Sequence, residues 1–77
     1  MSRVFKSTLN WKAFGEAMSS RRRSLNMTQA EFAKSVGCHQ SNVSVFEKGE
    51  RQPTLEMCKR MAAALQISEN TLLKPLW

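Results

Sequence analysis

Apolar residues near the start of the chain recur with helical spacing. Trp11, Phe14, Met18 and Leu25 stand at i, i+3, i+7 and i+14, with Ala17 beside them, which predicts a helix from about Trp11 to Ser24. Asn10 stands where an N-cap is wanted. The next start is sharper, because Thr28-Gln29-Ala30-Glu31 has the form of a capping box. Its apolar stripe is Phe32, Ala33 and Val36, and Gly37 follows where a left-handed residue ends a helix. A third helix is expected from about Gln40 to Lys48, stopping at Gly49. Wound at about 100° per residue from Gln40, Val43, Phe46 and Glu47 fall between about 240° and 340°, and Ser41, Ser44, Val45 and Lys48 between about 40° and 140°. One face is therefore inward and apolar, the other outward and mostly small or polar.

Glu50–Pro53 reads as a loop, and Thr54 as the cap of a fourth helix with Leu55, Cys58, Met61, Ala62 and Leu65 on one side. A short fifth helix, about Glu69–Lys74, carries Leu72 and Leu73 and is expected to end before Pro75. No strand-like alternation occurs, so the fold class is all-α, a compact five-helix domain over residues 10–77. Residues 1–9 are expected to be a flexible arm.

Charge adds direction. Twelve Lys and Arg stand against six acidic residues, all Glu, for a net charge of +6. Six of the basic residues, Arg3, Lys6, Lys12, Arg21, Arg22 and Arg23, precede Thr28, where the only acid is Glu16. Such an excess suits a polyanion such as nucleic acid, and equally a solvated face that keeps a small protein in solution. Hydrophobic residues make up 42% of the chain, too many for a disordered tail. No apolar run is long enough to span a membrane. The opening MSRVFKSTLN lacks the apolar region of a secretory signal, so a cytoplasmic protein is expected.

Other chemistry finds little support. Cys38 and Cys58 are too few for a disulfide framework, and with His39 they have no zinc-ligand spacing. Cys58 lies on an apolar stripe, where free Cys packs as a small core residue. With one His, no Asp and no Gly-rich phosphate loop, no catalytic constellation emerges. Neither an enzyme, a metal, a cofactor nor a small-molecule ligand is expected. The segment Thr28–Phe46 differs in kind. Two short helices meet at Gly37, Ala33 permits close approach, and Val43 pins the second so that its polar face projects. A helix of that size and surface fits the major groove.

The string TQAEFAKSVGCHQSNVSVFEKGERQPTLEMCKRMAAALQIS resembles the Cro-like, lambdoid-phage-repressor class of helix-turn-helix domains, the xenobiotic-response-element type. The resemblance covers about residues 16–74 and rests on Gln29, Ala33, Gly37, Gln40, Val43, Phe46-Glu47, Gly49, Pro53, Ala62, Leu65, Ile67-Ser68 and Leu72-Leu73. It implies that Gln29 touches backbone phosphate and braces a reading glutamine, which is Gln40. It implies that Ser41 reads base edges and that Lys48 and Arg51 lie near phosphates. Ser44 and Val45 share the reading face, where Val45 suits a thymine methyl group. Arg21 joins the phosphate-binding set. The resemblance also implies that Arg22 pairs with Glu47, which the helical wheel independently sets on the inner face.

Two departures accompany it. The position before the reading glutamine, where the family often has Ser or Thr as a cap, is His39. That residue contacts a phosphate if protonated, or caps poorly if neutral. Arg3 and Lys6 fall outside the resemblance, as a DNA-reaching arm or a tail.

The expected function is sequence-specific binding of double-stranded DNA by a small repressor or restriction–modification controller, acting as a homodimer on a palindromic operator. The length leaves no room for a ligand-sensing domain, so control by concentration is expected. An antitoxin-like or adaptor module that binds protein is the alternative. Leu72, Leu73, Leu76 and Trp77 cluster around Pro75 and form the expected dimer patch, with Leu72 or Leu73 matching the family's core leucine and the remainder exposed.

Overall fold

In the computed structural model, residues 9–77 are described, and they form five α-helices and a closing 3-10 turn, with no strand among them. Expectations for Arg3, Lys6 and the rest of segment 1–8 lie outside the described residues. Helix α1 is Trp11–Ser24, started by Asn10, whose side-chain oxygen accepts from the Ala13 amide at 2.9 Å. Helix α2 is Gln29–Val36. Thr28 Oγ1 accepts from the Glu31 amide at 3.0 Å, and Glu31 Oε1 accepts from the Thr28 amide at 2.8 Å, so two orphan donors are satisfied reciprocally. Gly37, at φ 77°, ends it in the left-handed conformation that an L side chain disfavours.

Helix α3 is Gln40–Glu47, one residue shorter than expected, with Lys48 as its C-cap. Helix α4 is Leu55–Leu65, capped by Thr54 Oγ1, which accepts from the Met57 amide at 3.1 Å. Helix α5, Glu69–Leu73, is capped by Ser68. It ends before Pro75, as expected, but the chain does not leave helical geometry there. It continues as a 3-10 turn, Lys74–Leu76, because proline in a first helical turn has no needed N–H to lose.

Phe14, Met18, Phe32, Val36, Val43, Met61 and Leu65 are almost wholly inaccessible and join all four longer helices in one core. Helix α2 packs on α3 and α4, while α1 packs on α3, α5 and the 3-10 turn. Ala33, 3% exposed, lies in that core. The start of α1 and the end of α3 meet backbone to backbone. A Cβ on Gly15 would collide with the Glu47 carbonyl oxygen and stand 2.6 Å from that of Phe46. One on Gly49, at φ 75°, would stand 2.6 Å from Lys12 Cα.

Three apolar positions differ from expectation. Leu55 shares the angle of the α4 stripe but is 64% exposed, because it stands at the first helical position and the stripe meets the core only from Cys58 onward. Leu72 and Leu76, expected in a dimer patch, are core residues at 3% and 4% exposure. The 3-10 turn swings Leu76 back onto α1, where its carbonyl accepts from the Asn10 amide at 2.8 Å. Leu73 is half-buried and only Trp77, 81% exposed, stands free.

Candidate nucleic-acid interface

Arg22 is the one charged residue in the core among the described residues, and it organises the face formed by α2 and α3. It reaches from α1 to the end of α3, donating from Nε to Glu47 Oε2 at 2.6 Å and from Nη2 to Glu47 Oε1 at 3.2 Å. This two-pronged match of guanidinium to carboxylate is the geometry that arginine favours. Its Nη1 donates to the Met27 carbonyl at 2.6 Å, which ties down the loop between α1 and α2. Glu47 Oε1 also accepts from Gln29 Nε2 at 2.9 Å. One carboxylate therefore gathers side chains from α1, α2 and α3.

In front of this clamp, α3 turns its other side to solvent. Gln40, Ser41 and Lys48 are exposed, and Ser44 is half-buried. Val45 departs from expectation: it is half-buried and rests against the core, so only part of its side chain is presented outward. Arg51 is exposed beyond the end of α3, and its Nη1 donates to Asn42 Oδ1 at 3.2 Å. Arg51 is thus held beside α3 instead of swinging free.

The start of α3 is open. His39 occupies the N-cap position in extended backbone, with no side-chain cap bond. The Asn42 amide folds back onto the His39 carbonyl at 3.0 Å, whereas no protein acceptor meets the amides of Gln40 and Ser41 among the described residues. Every other α-helix among the described residues has a side-chain cap.

Arg21 does not join this face. Its Nε donates to the Leu65 carbonyl at 2.9 Å, at the end of α4. One residue is about 100° of helix rotation, so with Arg22 aimed at α3 its neighbour points elsewhere, to a carbonyl at the negative end of a helix. On that side lies a cavity of about 280 Å³ lined by Ala17, Met18, Arg21, Ile67, Thr71 and Leu72.

Burial pushes the Cys38 thiol above its ordinary pKa, and burial followed by the charge of Glu69 does the same for Cys58, so both favour the neutral thiol. Among the described residues no cluster of three His, Cys, Asp or Glu is positioned around a metal site. No helix among them is long and apolar enough to cross a membrane.

Sequence reasoning missed three contacts: Gly15 against α3, Gln29 to Glu47, and Asn42 to Arg51. For Gly15 a signal existed, since an isolated glycine inside a helix costs stability unless something approaches closely. The two side-chain bonds depend on tertiary placement.

A family model described as helix-turn-helix matches residues 18–72. Over 57 residues the chain is 35% identical to the cryptic phage CTXphi transcriptional repressor RstR of Vibrio cholerae, covering 74% of this chain and 51% of RstR. Over 66 residues it is 35% identical to the repressor protein C2 of Salmonella phage P22, covering 86% of this chain and 31% of C2. The chain thus spans about half and about a third of the lengths of these two relatives. Among solved structures, it superposes with a TM-score of 0.77 on the P22 c2 repressor in complex with a synthetic operator, at 35% identity, covering 80% of this chain and 94% of that one. The restriction-modification controller protein C.AhdI of Aeromonas hydrophila gives a TM-score of 0.78 at 27% identity, with the same coverage.

Proposed function

Since the chain belongs to the helix-turn-helix family, we propose that it is a sequence-specific transcriptional repressor that binds double-stranded DNA through α3, without enzymatic activity and in the cytoplasm. The observation that carries this reading is the division of α3. Its inner face is buried at Val43 and Phe46 and clamped at Glu47, while Gln40, Ser41 and Lys48 stand exposed. A rigid helix with an unoccupied polar face can enter the major groove without rearrangement.

In this reading Gln40 contacts adenine, its amide accepting from N6 and donating to N7, while Ser41 and Ser44 contact neighbouring base edges. The exposed part of Val45 packs on a thymine methyl group. Gln29, through its backbone amide at the start of α2, and His39, Lys48 and Arg51 contact phosphates, which fix register and supply the salt-dependent part of affinity. The open start of α3 suits the same anionic backbone. Two copies bind a palindromic site, because one such domain reads too few base pairs to select a single locus. With Leu72 and Leu76 in the core, the half-buried Leu73 and the exposed Trp77 remain as the apolar contacts for that dimer.

The test is selection of duplex DNA from a random pool, followed by gel shifts over a salt series. Gln40→Ala is expected to cost about 1–3 kcal/mol and to relax preference at one position per half-site. Arg51→Ala is expected to weaken all sequences alike and to flatten the salt slope by about one unit. Equal losses with unchanged base preference in both variants would overturn α3 as the reader. Failure to bind any duplex would favour a protein-binding module instead.

A further inference from the structure

We infer that Glu47, held by Arg22, is a positioning residue for base preference, because it fixes which end of the Gln29 amide faces outward. The inference rests on the DNA-reading function proposed above and adds a specificity determinant buried behind the contact surface.

The placement of Glu47 breaks a local rule. It is the last residue of α3, where the free carbonyls make a negative charge unfavourable, and α3 has no basic residue in its last turn to offset it. Arg22 supplies that offset from α1. Joining α1 to α3 does not by itself need charge, since buried ion pairs are often replaceable by well-packed apolar residues without loss. What an apolar pair lacks is the third bond, from Gln29 Nε2 to Glu47 Oε1 at 2.9 Å.

That bond has a direction. An ionised carboxylate only accepts hydrogen bonds, so Gln29 can face it only with its NH₂ group. The amide oxygen is then turned away from Glu47. The two ends of a glutamine amide are nearly equal in shape, and without a charged neighbour the two orientations differ little in energy. They differ completely in chemistry, because one presents an acceptor and the other two donors. Gln29 opens α2 and is half-buried, so this polarity is set before any ligand arrives. The position then favours a donor, such as a base amino group or a neighbouring side-chain amide, and disfavours a competing acceptor. Pre-setting the amide also spares ordering entropy on binding.

The experiment compares the intact chain with Glu47→Gln and with the double variant Arg22→Met/Glu47→Met, after circular dichroism shows each to be folded. The double variant removes one charge of each sign, so the net charge is unchanged and the affinity for random duplex should hold. The ratio of affinities between the best selected duplex and its single-base variants should fall about tenfold at the positions Gln29 influences. Adding Gln29→Met to the double variant should change that ratio no further. Folded variants that keep the full preference would overturn the inference and leave the pair a structural brace. A chain that shows no base preference at all would instead overturn the reading of DNA. In that case the side-chain amide protons of Gln29 in the free protein still decide on Glu47: a resonance displaced from the ordinary glutamine position that returns to it in the double variant supports its orienting role, and undisplaced resonances overturn it.

Discussion

Helices α2 and α3 are each eight residues long, but they are held in opposite ways. Helix α2 starts in a closed capping box and ends at a left-handed glycine, both specified within a few residues of sequence. Helix α3 starts at an uncapped His39, and its end is secured from a distance, by Arg22 of α1 and by the backbone of α1 passing Gly15 and Gly49. Local support fills a helix end with its own side chains. Distant support leaves the start and the outer face unoccupied, and a helix that must meet a ligand needs those parts open.

The sharpest way to break the contrast is to remove the distant support. Glu47→Leu leaves Arg22, a residue 7% exposed in the intact chain, with the Met27 carbonyl as its remaining partner. Urea unfolding should then show a loss of about 3–5 kcal/mol, the cost of a stranded buried charge. Glu31→Leu, which opens the capping box of α2, should cost about 1 kcal/mol. Equal losses would mean that the two helices are held alike.

Next in size is Gly15→Ala. In an open helix this change stabilises by about 1 kcal/mol through propensity. Here the added methyl meets two carbonyl oxygens of α3, and overpacking of this kind costs about 1–3 kcal/mol. A net loss of stability in thermal melts is expected, with a gain the result that would separate α1 from α3.

The smallest effects distinguish the two helix starts. Thr28→Ala should destabilise by about 1 kcal/mol, whereas His39→Ser should stabilise by up to about 1 kcal/mol by supplying a cap that α3 lacks. A destabilising His39→Ser would show that the imidazole already supports α3 in solution.

The same contrast explains what could be read from residue order. Asn10, Thr28, Gly37 and Thr54 act within one turn of chain, and the helix limits they predict agree with the structure to about one residue. Arg22 and Arg21 are adjacent and chemically identical, and only the rotation of α1 in the assembled fold sends one to Glu47 and the other to the end of α4. Leu72, Leu73, Leu76 and Trp77 likewise form an undivided apolar cluster in sequence. The 3-10 turn at Pro75 divides them, because it decides which side chains return to α1. Gln29 reaching Glu47 across the turn is a tertiary event with no periodic signature.

The bond between the Asn10 amide and the Leu76 carbonyl, with Leu76 sealing the core above it, joins nearly opposite ends of the described chain. That closure has a consequence for synthesis. Ribosomes deliver roughly 5–20 residues each second, and α1 leaves the exit tunnel well before its covering turn has been made. Until residue 76 is free, the face of α1 that the turn covers has no permanent neighbour. Contacts of such long sequence separation form late. The nascent domain therefore completes its core in one final docking step, and the interval before it is when a chaperone or an aggregating neighbour finds that face of the first helix bare.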